Sequence, residues 1–446
     1  MKKSLLAIAA MTAFAGAAQA QSSVTVYGIL DVGFVGSSYN GTASTPNTSN
    51  SNNIVQTGGV TQKQTTSGFG QSAESTSRLG FKGSEDLGGG TSAIFTLELG
   101  QNPNGSTEWG TINRQTFVGL KKSGLATVTI GNQYTPVFDA QSTTDAAGNN
   151  NLVGNAVYSA SLQSGGGTFN QGLSAYGQTA VVNNTSTTAQ LQGLNGYSGY
   201  TTRESNALKI QSDRISGLQG ELYYAQANQN NSQTGTTFAA TGGVQINTVY
   251  GLNADYQWKK LQVVAATQSF RSYAAAGTGA GGTAQTATSS SLTGTSVGGA
   301  GFGNNMNDTQ TYAAATYDFG IVKGYAQYLT RKATSTIDSS YSTNRNAYQL
   351  GVKSQLTPVI SAYATYGLGK SQYYGQSLGY NNFRTFQIGT DYYLSKRTNL
   401  YVAYGAMNSS SAGSGVAVSS ANAGANTPQN ASISGANYAA GIRHTF

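Results

Sequence analysis

Along most of the chain, small or polar residues alternate with apolar or aromatic ones in runs of about ten residues. A period of two is that of a strand whose two faces meet different surroundings. Sixteen such runs are readable: 23–37, 76–87, 91–101, 113–122, 125–135, 204–212, 217–228, 247–258, 261–274, 309–319, 321–333, 345–356, 359–372, 382–394, 398–408 and 433–446. No stretch keeps a 3.6-residue period. In 206–212, Leu208 and Ile210 oppose Ala207, Lys209 and Gln211. In 217–224, Leu218, Leu222 and Tyr224 oppose Gln219, Glu221 and Tyr223. In the second run, Arg78, Gly80 and Lys82 oppose Leu79 and Phe81.

The connections alternate in length. Residues 88–90, 123–124, 259–260, 320, 357–358 and 395–397 join neighbouring runs tightly. Between them lie long Asn-, Ser-, Thr- and Gly-rich pieces at 38–75, 229–246, 275–308 and 409–432, and the longest spans 136–203. All five prolines fall in connections, as strands require. An even number of strands with short turns at one end and long loops at the other predicts an all-β fold, a 16-stranded antiparallel transmembrane β-barrel. A soluble sandwich or a fibre is the competing reading, but it calls for more charge and for no alternation in loop length.

Composition supports the barrel. Only 9% of the 446 residues are charged and 38% are hydrophobic, both low for a soluble domain. A barrel of this width has a wet interior, so only its outward face must be apolar. The 28 tyrosines and two tryptophans suit interfacial girdles and lumen lining. There is no Cys and one His, so thiolate sites, multi-His metal sites and His-based catalysis are not expected, nor is any cofactor. Residues 277–282 hold a Gly-x-Gly-x-Gly-Gly run, but it lies in low-complexity sequence without a βαβ context. The sequence pI near 9.3 does not imply nucleic-acid binding, because the bases are scattered.

Residues 1–20 read as a signal peptide: Lys2 and Lys3, an apolar stretch, then Ala18-Gln19-Ala20 as a cleavage site. Cleavage lowers the formal net charge from +8 to +6. The remainder, 21–446, reads as a single barrel domain with 136–203 as the candidate constriction loop. In the last run Tyr438, Ala440, Ile442, His444 and Phe446 share one face. A final strand ending in Phe resembles the signal read by the outer-membrane barrel assembly machinery, with Tyr438, Ile442 and Phe446 as its residues.

Several segments are similar to the general porins of the β-proteobacterial type. They are VTVYGILD at 24–31, SRLGFKGSEDLGGG at 77–90, NRQTFVGL at 113–120, TVTIGNQYTP at 127–136 and GIRHTF at 441–446. The resemblance implies a homotrimer of water-filled outer-membrane channels whose third extracellular loop folds into the lumen. It also implies bases on the second, fourth and sixth strands facing that loop, which match Arg78, Arg114 and Lys209. Here the loop carries only two acids up to residue 203, Asp139 and Asp145.

Strand parity turns Arg78, Lys82, Lys209, Lys323, Lys353 and Arg443 to the lumen, with the acids Asp31, Glu98, Asp255 and Asp391. Arg114 shares parity with Val118 and Leu120, so an ideal strand sends it outward and only a bulge or a position above the lipid returns it. Lys121, Lys122, Lys259, Lys260, Lys396 and Arg397 fall in the short turns, away from the pore. The expected function is passive diffusion of small hydrophilic solutes and ions, with mild anion preference and no enzymatic step. The expected partners are outer-membrane lipids including lipopolysaccharide, and no nucleic acid. Two alternatives stand beside it: a substrate-selective channel using Tyr223, Tyr325 and Tyr363, and a surface adhesin or phage receptor.

Overall fold

The computed structural model describes residues 23–43, 60–101, 103, 112–157, 203–231, 243–275, 306–336, 339, 342–374, 380–411 and 431–446. The expected signal peptide, residues 158–202 of the candidate constriction loop and most of the other long connections lie outside them. The described residues form seventeen strands in one antiparallel sheet. These are β1 (Ser23–Ala43), β2 (Val60–Gln71), β3 (Arg78–Gly88), β4 (Thr91–Gly100), β5 (Ile112–Lys122), β6 (Ala126–Tyr134), β7 (Arg203–Ser212), β8 (Leu218–Asn231) and β9 (Gly243–Trp258). Then follow β10 (Leu261–Ala275), β11 (Met306–Asp318), β12 (Lys323–Ser335), β13 (Ser342–Thr357), β14 (Ile360–Tyr374), β15 (Tyr380–Tyr393), β16 (Thr398–Ser411) and β17 (Ala431–Thr445). A helix, α1 (Pro136–Thr144), follows β6.

β1 closes the sheet. One edge pairs with β17 from Ile29 to Ala43. The other pairs with β3 from Ser23 to Ile29 and with β2 from Val32 to Ala43. β2 and β3 are therefore two halves of one stave, interrupted at 72–77, and the barrel has sixteen staves. Gly28 and Phe446 exchange backbone hydrogen bonds of 3.1 Å at the seam. Among the described strands closure leaves no sheet edge, which a hydrocarbon surround requires.

The alternation along each stave separates two surfaces. Leu222, Leu350 and Val402 are exposed on the outside, while their neighbours Glu221, Gln349 and Tyr401 are buried inside. A small apolar core also lies within the barrel. Val137, Ala140, Val153, Ala156 and Val157 pack there against Val264, Tyr312, Leu329, Phe383 and Met407 of the wall.

Two elements differ from the sequence reading. The 38–75 piece, whose composition reads as a loop, contains the end of β1 and all of β2, held by backbone pairing that needs no apolar side chains. The helix α1 was not visible as a period. It is nine residues long, and its buried face of Val137, Ala140, Gln141 and Thr144 is half polar because it rests on a polar wall. Pro136 starts it, where a fixed φ and a missing N–H cost nothing.

Candidate functional site

The lumen is divided by the inward segment 136–157. Its docking is made largely of amides. Val137 donates its N–H to Gln268 Oε1 at 3.1 Å. Ala156 donates to Gln349 Oε1 at 2.8 Å and Val153 to Asn437 Oδ1 at 2.9 Å. Gln387 Nε2 lies 2.9–3.1 Å from three acceptors: Asn150 Oδ1 and the carbonyls of Leu152 and Val153. Gln349 donates to Asp145 and Gln327, Gln327 donates to the Tyr312 hydroxyl, and Tyr312 meets Thr144 at 2.6 Å.

Glycines let the segment approach so closely. A Cβ on Gly405 would stand 1.8 Å from the Val153 carbonyl oxygen, and one on Gly367 would stand 2.3 Å from Ala156 Cβ. Both positions lie within strands on the inner face. Glycine in this chain is thus more than turn and loop material.

The opposite wall, β3–β8, carries charge. The pairing of β4 with β5 slips by one between Leu97 and Leu99, so Arg114 and Gln115 together oppose Glu98. This bulge puts the Arg114 side chain on the inner face, against the parity of an ideal strand. Arg114 Nε donates to Glu98 Oε1 at 2.5 Å and Nη2 to the Tyr134 hydroxyl at 2.7 Å. Arg78 Nη1 stands 3.8 Å from Glu98 Oε2, and the Tyr27 hydroxyl donates to the same oxygen at 3.3 Å. Two guanidiniums thus share one carboxylate. Helix α1 reaches this wall twice. Phe138 stacks on Tyr134 with ring centroids 4.4 Å apart, and Asp139 pairs with Lys209, which also holds Glu221 at 3.3 Å. A cavity of about 420 Å³ lies between helix and wall, lined by Gln115, Phe117, Thr129, Asp139, Lys209 and Asp255 among others.

A second inward piece comes from the broken stave. Asp31 is fully buried. Its carboxylate accepts the N–H groups of Glu74 and Ser75 at 2.8 and 2.7 Å and the Tyr401 hydroxyl at 2.6 Å. Glu74 pairs with Arg443 at 2.8 Å and accepts from Asn399. The Ala73 carbonyl accepts the Asn151 N–H, so the two inward pieces touch.

Burial raises the Glu74 carboxyl to about 7, with Asp391 nearby adding to the rise and Arg443 opposing it. Burial likewise raises Asp145 to about 6, against the hydrogen bond from the Asn149 N–H. Asp31 and Asp145 therefore sit in packed positions and not on an open water surface. Arg78, Arg114, Lys209, Glu98 and Asp139 are drawn together around α1. Lys82 lies farther along β3 with its ammonium 5.4 Å from the Tyr27 ring.

Lys323 and Lys353 are direct cross-strand partners on the inner face, half-buried, with Lys323 Nζ 5.2 Å from the Tyr325 ring. Tyr223 and Tyr363 are buried, the first donating to the Gln133 carbonyl and the second accepting from Asn150. They do not form an open ladder with Tyr325. Tyr438, Ile442 and Phe446 are exposed on the outer face. The sequence reading did not single out Tyr27, Glu74, Tyr134, Phe138, Gln349, Gln387 or Gly405. Parity turns Gln349 and Gln387 inward, but no local pattern tells where a distant loop lands.

The described geometry has parallels. A family model described as Gram-negative porin matches residues 7–412. An outer membrane porin protein of Bordetella pertussis is 37% identical over 138 residues, 30% of this chain and 34% of that one. Outer membrane porin protein 32 of Delftia acidovorans is 42% identical over 98 residues, 22% of each chain. These matches span about a third or less of the curated relatives. Among solved structures, an anion-selective porin from Comamonas acidovorans superposes with a TM-score of 0.58 at 20% identity, covering 96% of this chain and all of the other. OmpT of Vibrio cholerae in its trimer form superposes at 0.52 with 10% identity, covering 95% of this chain and 99% of the other, a likeness of fold. A closed sixteen-stave barrel, an inward segment after the fifth stave and a family match over most of the length agree: the chain is an outer-membrane barrel of the Gram-negative porin family.

Proposed function

We propose that the protein is a passive channel for small hydrophilic solutes and ions, working as a homotrimer with a mild preference for anions. Its long loops face outward, where lipopolysaccharide surrounds them, and its short turns face the periplasm. Assembly machinery would read the exposed Tyr438, Ile442 and Phe446. No catalytic step is needed, because the work is a size-limited aqueous path through a low-dielectric layer.

One observation carries the anion preference. In six of the seven ion pairs among the described residues, the base is nearer to water than its acid. The side-chain exposures are 20% and 4% for Arg78 and Glu98, 7% and 4% for Arg114 and Glu98, and 13% and 1% for Lys209 and Glu221. They are 28% and 11% for Arg214 and Asp255, 5% and 0% for Arg331 and Asp308, and 25% and 15% for Arg443 and Glu74. Lys209 with Asp139 is the exception. At Arg78, Arg214 and Arg443 a permeating ion meets the base first and the acid through intervening protein, while Arg114 and Arg331 are buried with their acids. Lys323 and Lys353 add two neighbouring ammonium groups outside these pairs. Because the six bases and six acids of these contacts balance, the preference is small.

Planar-bilayer recording tests the reading. Stepwise openings in threes and a reversal potential favouring chloride in a KCl gradient are expected. Absence of conductance overturns the channel, and clear cation selectivity overturns the preference.

A further inference from the structure

The short-turn end of the barrel carries three pairs of adjacent bases. They are Lys121 and Lys122 at the end of β5, Lys259 and Lys260 between β9 and β10, and Lys396 and Arg397 between β15 and β16. All six side chains are exposed. None takes part in an ion pair among the described residues. Around the sixteen staves the pairs are separated by four, six and six, so they stand at three corners of the rim. The acids of this end, Glu85, Asp86, Asp213 and Asp318, are fewer. The carboxylates of Asp86, Asp213 and Asp318 accept backbone N–H groups of Gly88, Gly124 and Gly320.

Each pair has exposed aliphatic or aromatic neighbours. Leu120 and Leu125 flank the first, Tyr256 and Trp258 the second, Tyr392 and Leu394 the third, and all six are exposed. Lys259 Nζ lies 5.0 Å from the Trp258 ring. Lys122 Nζ reaches back to the Gly89 carbonyl at 2.5 Å, which holds its ammonium at the rim. An apolar or aromatic body below a cationic tip spans the boundary between acyl chains and headgroups. Two such tips side by side match the two phosphodiester charges of cardiolipin or of two neighbouring phosphatidylglycerols.

We propose that these three corners are headgroup sites for anionic phospholipid, of the phosphatidylglycerol or cardiolipin class, in the leaflet that meets the short turns. The assignment of that leaflet rests on the outer-membrane orientation given above. A lipid fits better than a periplasmic glycan, because the exposed Leu, Tyr and Trp side chains gain nothing from a hydrated polymer but are covered by acyl chains.

The test uses the full-length mature protein in detergent, titrated with cardiolipin or with phosphatidylcholine and read by native mass spectrometry. Wild type is expected to bind cardiolipin more tightly. A base near the surface is worth roughly fivefold in affinity, so Lys259→Gln with Lys260→Gln, or Lys396→Gln with Arg397→Gln, is expected to weaken one class of sites about 25-fold. Lys332→Gln, outside the short turns, is expected to change nothing. Equal affinity for both lipids, or unchanged cardiolipin binding in both double variants, overturns the proposal. Co-sedimentation with isolated peptidoglycan that depends on the same bases overturns it in favour of the glycan. Conductance of the double variants should stay at the wild-type level. A wild type without conductance refutes the channel and leaves the lipid titration standing on its own result.

Discussion

The two walls of the lumen solve different problems. From β10 to β17 the wall is covered by the inward segment, and it presents Gln268, Gln310, Gln327, Gln349, Gln387 and Asn437 with glycines between them. From β3 to β8 the wall remains beside the open cavity, and it presents Arg78, Glu98, Arg114, Lys209 and Glu221. An amide offers a donor and an acceptor and can be buried without paying the desolvation of a charge. It therefore suits a surface that must hold a chain segment. On the wall from β3 to β8, Arg78 and Lys209 keep part of their side chains accessible, while Glu98, Arg114 and Glu221 are buried against their partners. The charge that the covered wall buries is held by partners: Arg331 holds Asp308 by two nitrogens, Arg345 donates to the Ala156 carbonyl, and Asp391 accepts from Ser361 and Asn399.

The contrast can be broken most strongly at its closest contact. Gly405→Val places a side chain where the Val153 carbonyl lies. Overpacking of this kind costs about 1–3 kcal/mol or more, enough to undock the segment. Larger and noisier single-channel conductance is the expected outcome, and an unchanged conductance breaks the account of the covered wall. Gln387→Leu is the next step down. It leaves Asn150 and the carbonyls of Leu152 and Val153 without their donor, at about 1–3 kcal/mol, and faster hydrogen exchange over 150–157 reports it.

The uncovered wall is sharpened by Glu98→Gln. Arg78 and Arg114 then lose their shared countercharge, and Coulomb's law near water gives about a two- to fourfold rise in the chloride-to-potassium permeability ratio. Reversal potentials measure it, and a shift toward potassium contradicts the arrangement. Acidification has the smallest effect. Asp145 and Glu74 both sit above the ordinary carboxylate value in the folded protein, so the fold binds their protons more readily than the unfolded chain does. Stability of the docked segment therefore rises as pH falls from about 8 to about 5, and the gain is complete below the unfolded values. Hydrogen exchange over 145–157 measures it, and Asp145→Asn should remove the part of the dependence that Asp145 contributes and leave that of Glu74.

Legibility in the sequence divides along the same line. The staves are visible because each is a local period of two, repeated with turns at a fixed end. Inward bases such as Arg78 and Lys209 follow from the same parity. Arg114 does not, because a bulge is a property of two paired strands and not of one run. The covered wall is illegible for a related reason. Gln349 and Gln387 look like any inward polar residue, and Gly405 like any strand glycine, until a segment 193 or more residues earlier lies on them. The helix escaped because nine residues with a half-polar buried face give no period. The broken stave at 72–77 escaped because its anchor, Asp31, belongs to another strand.

The seam between β1 and β17 has a kinetic consequence. Apart from the broken stave, every other pairing in the wall joins neighbours in the chain, so each hairpin closes over a single turn or a single loop. The bonds between Gly28 and Phe446 join opposite ends of the sequence and carry the largest closure entropy in the molecule. The wall can grow as an open sheet, one hairpin after another, with two raw edges that only their meeting removes. Folding then has a single commitment step, and until it occurs the nascent sheet is a template for any strand, its own or a stranger's.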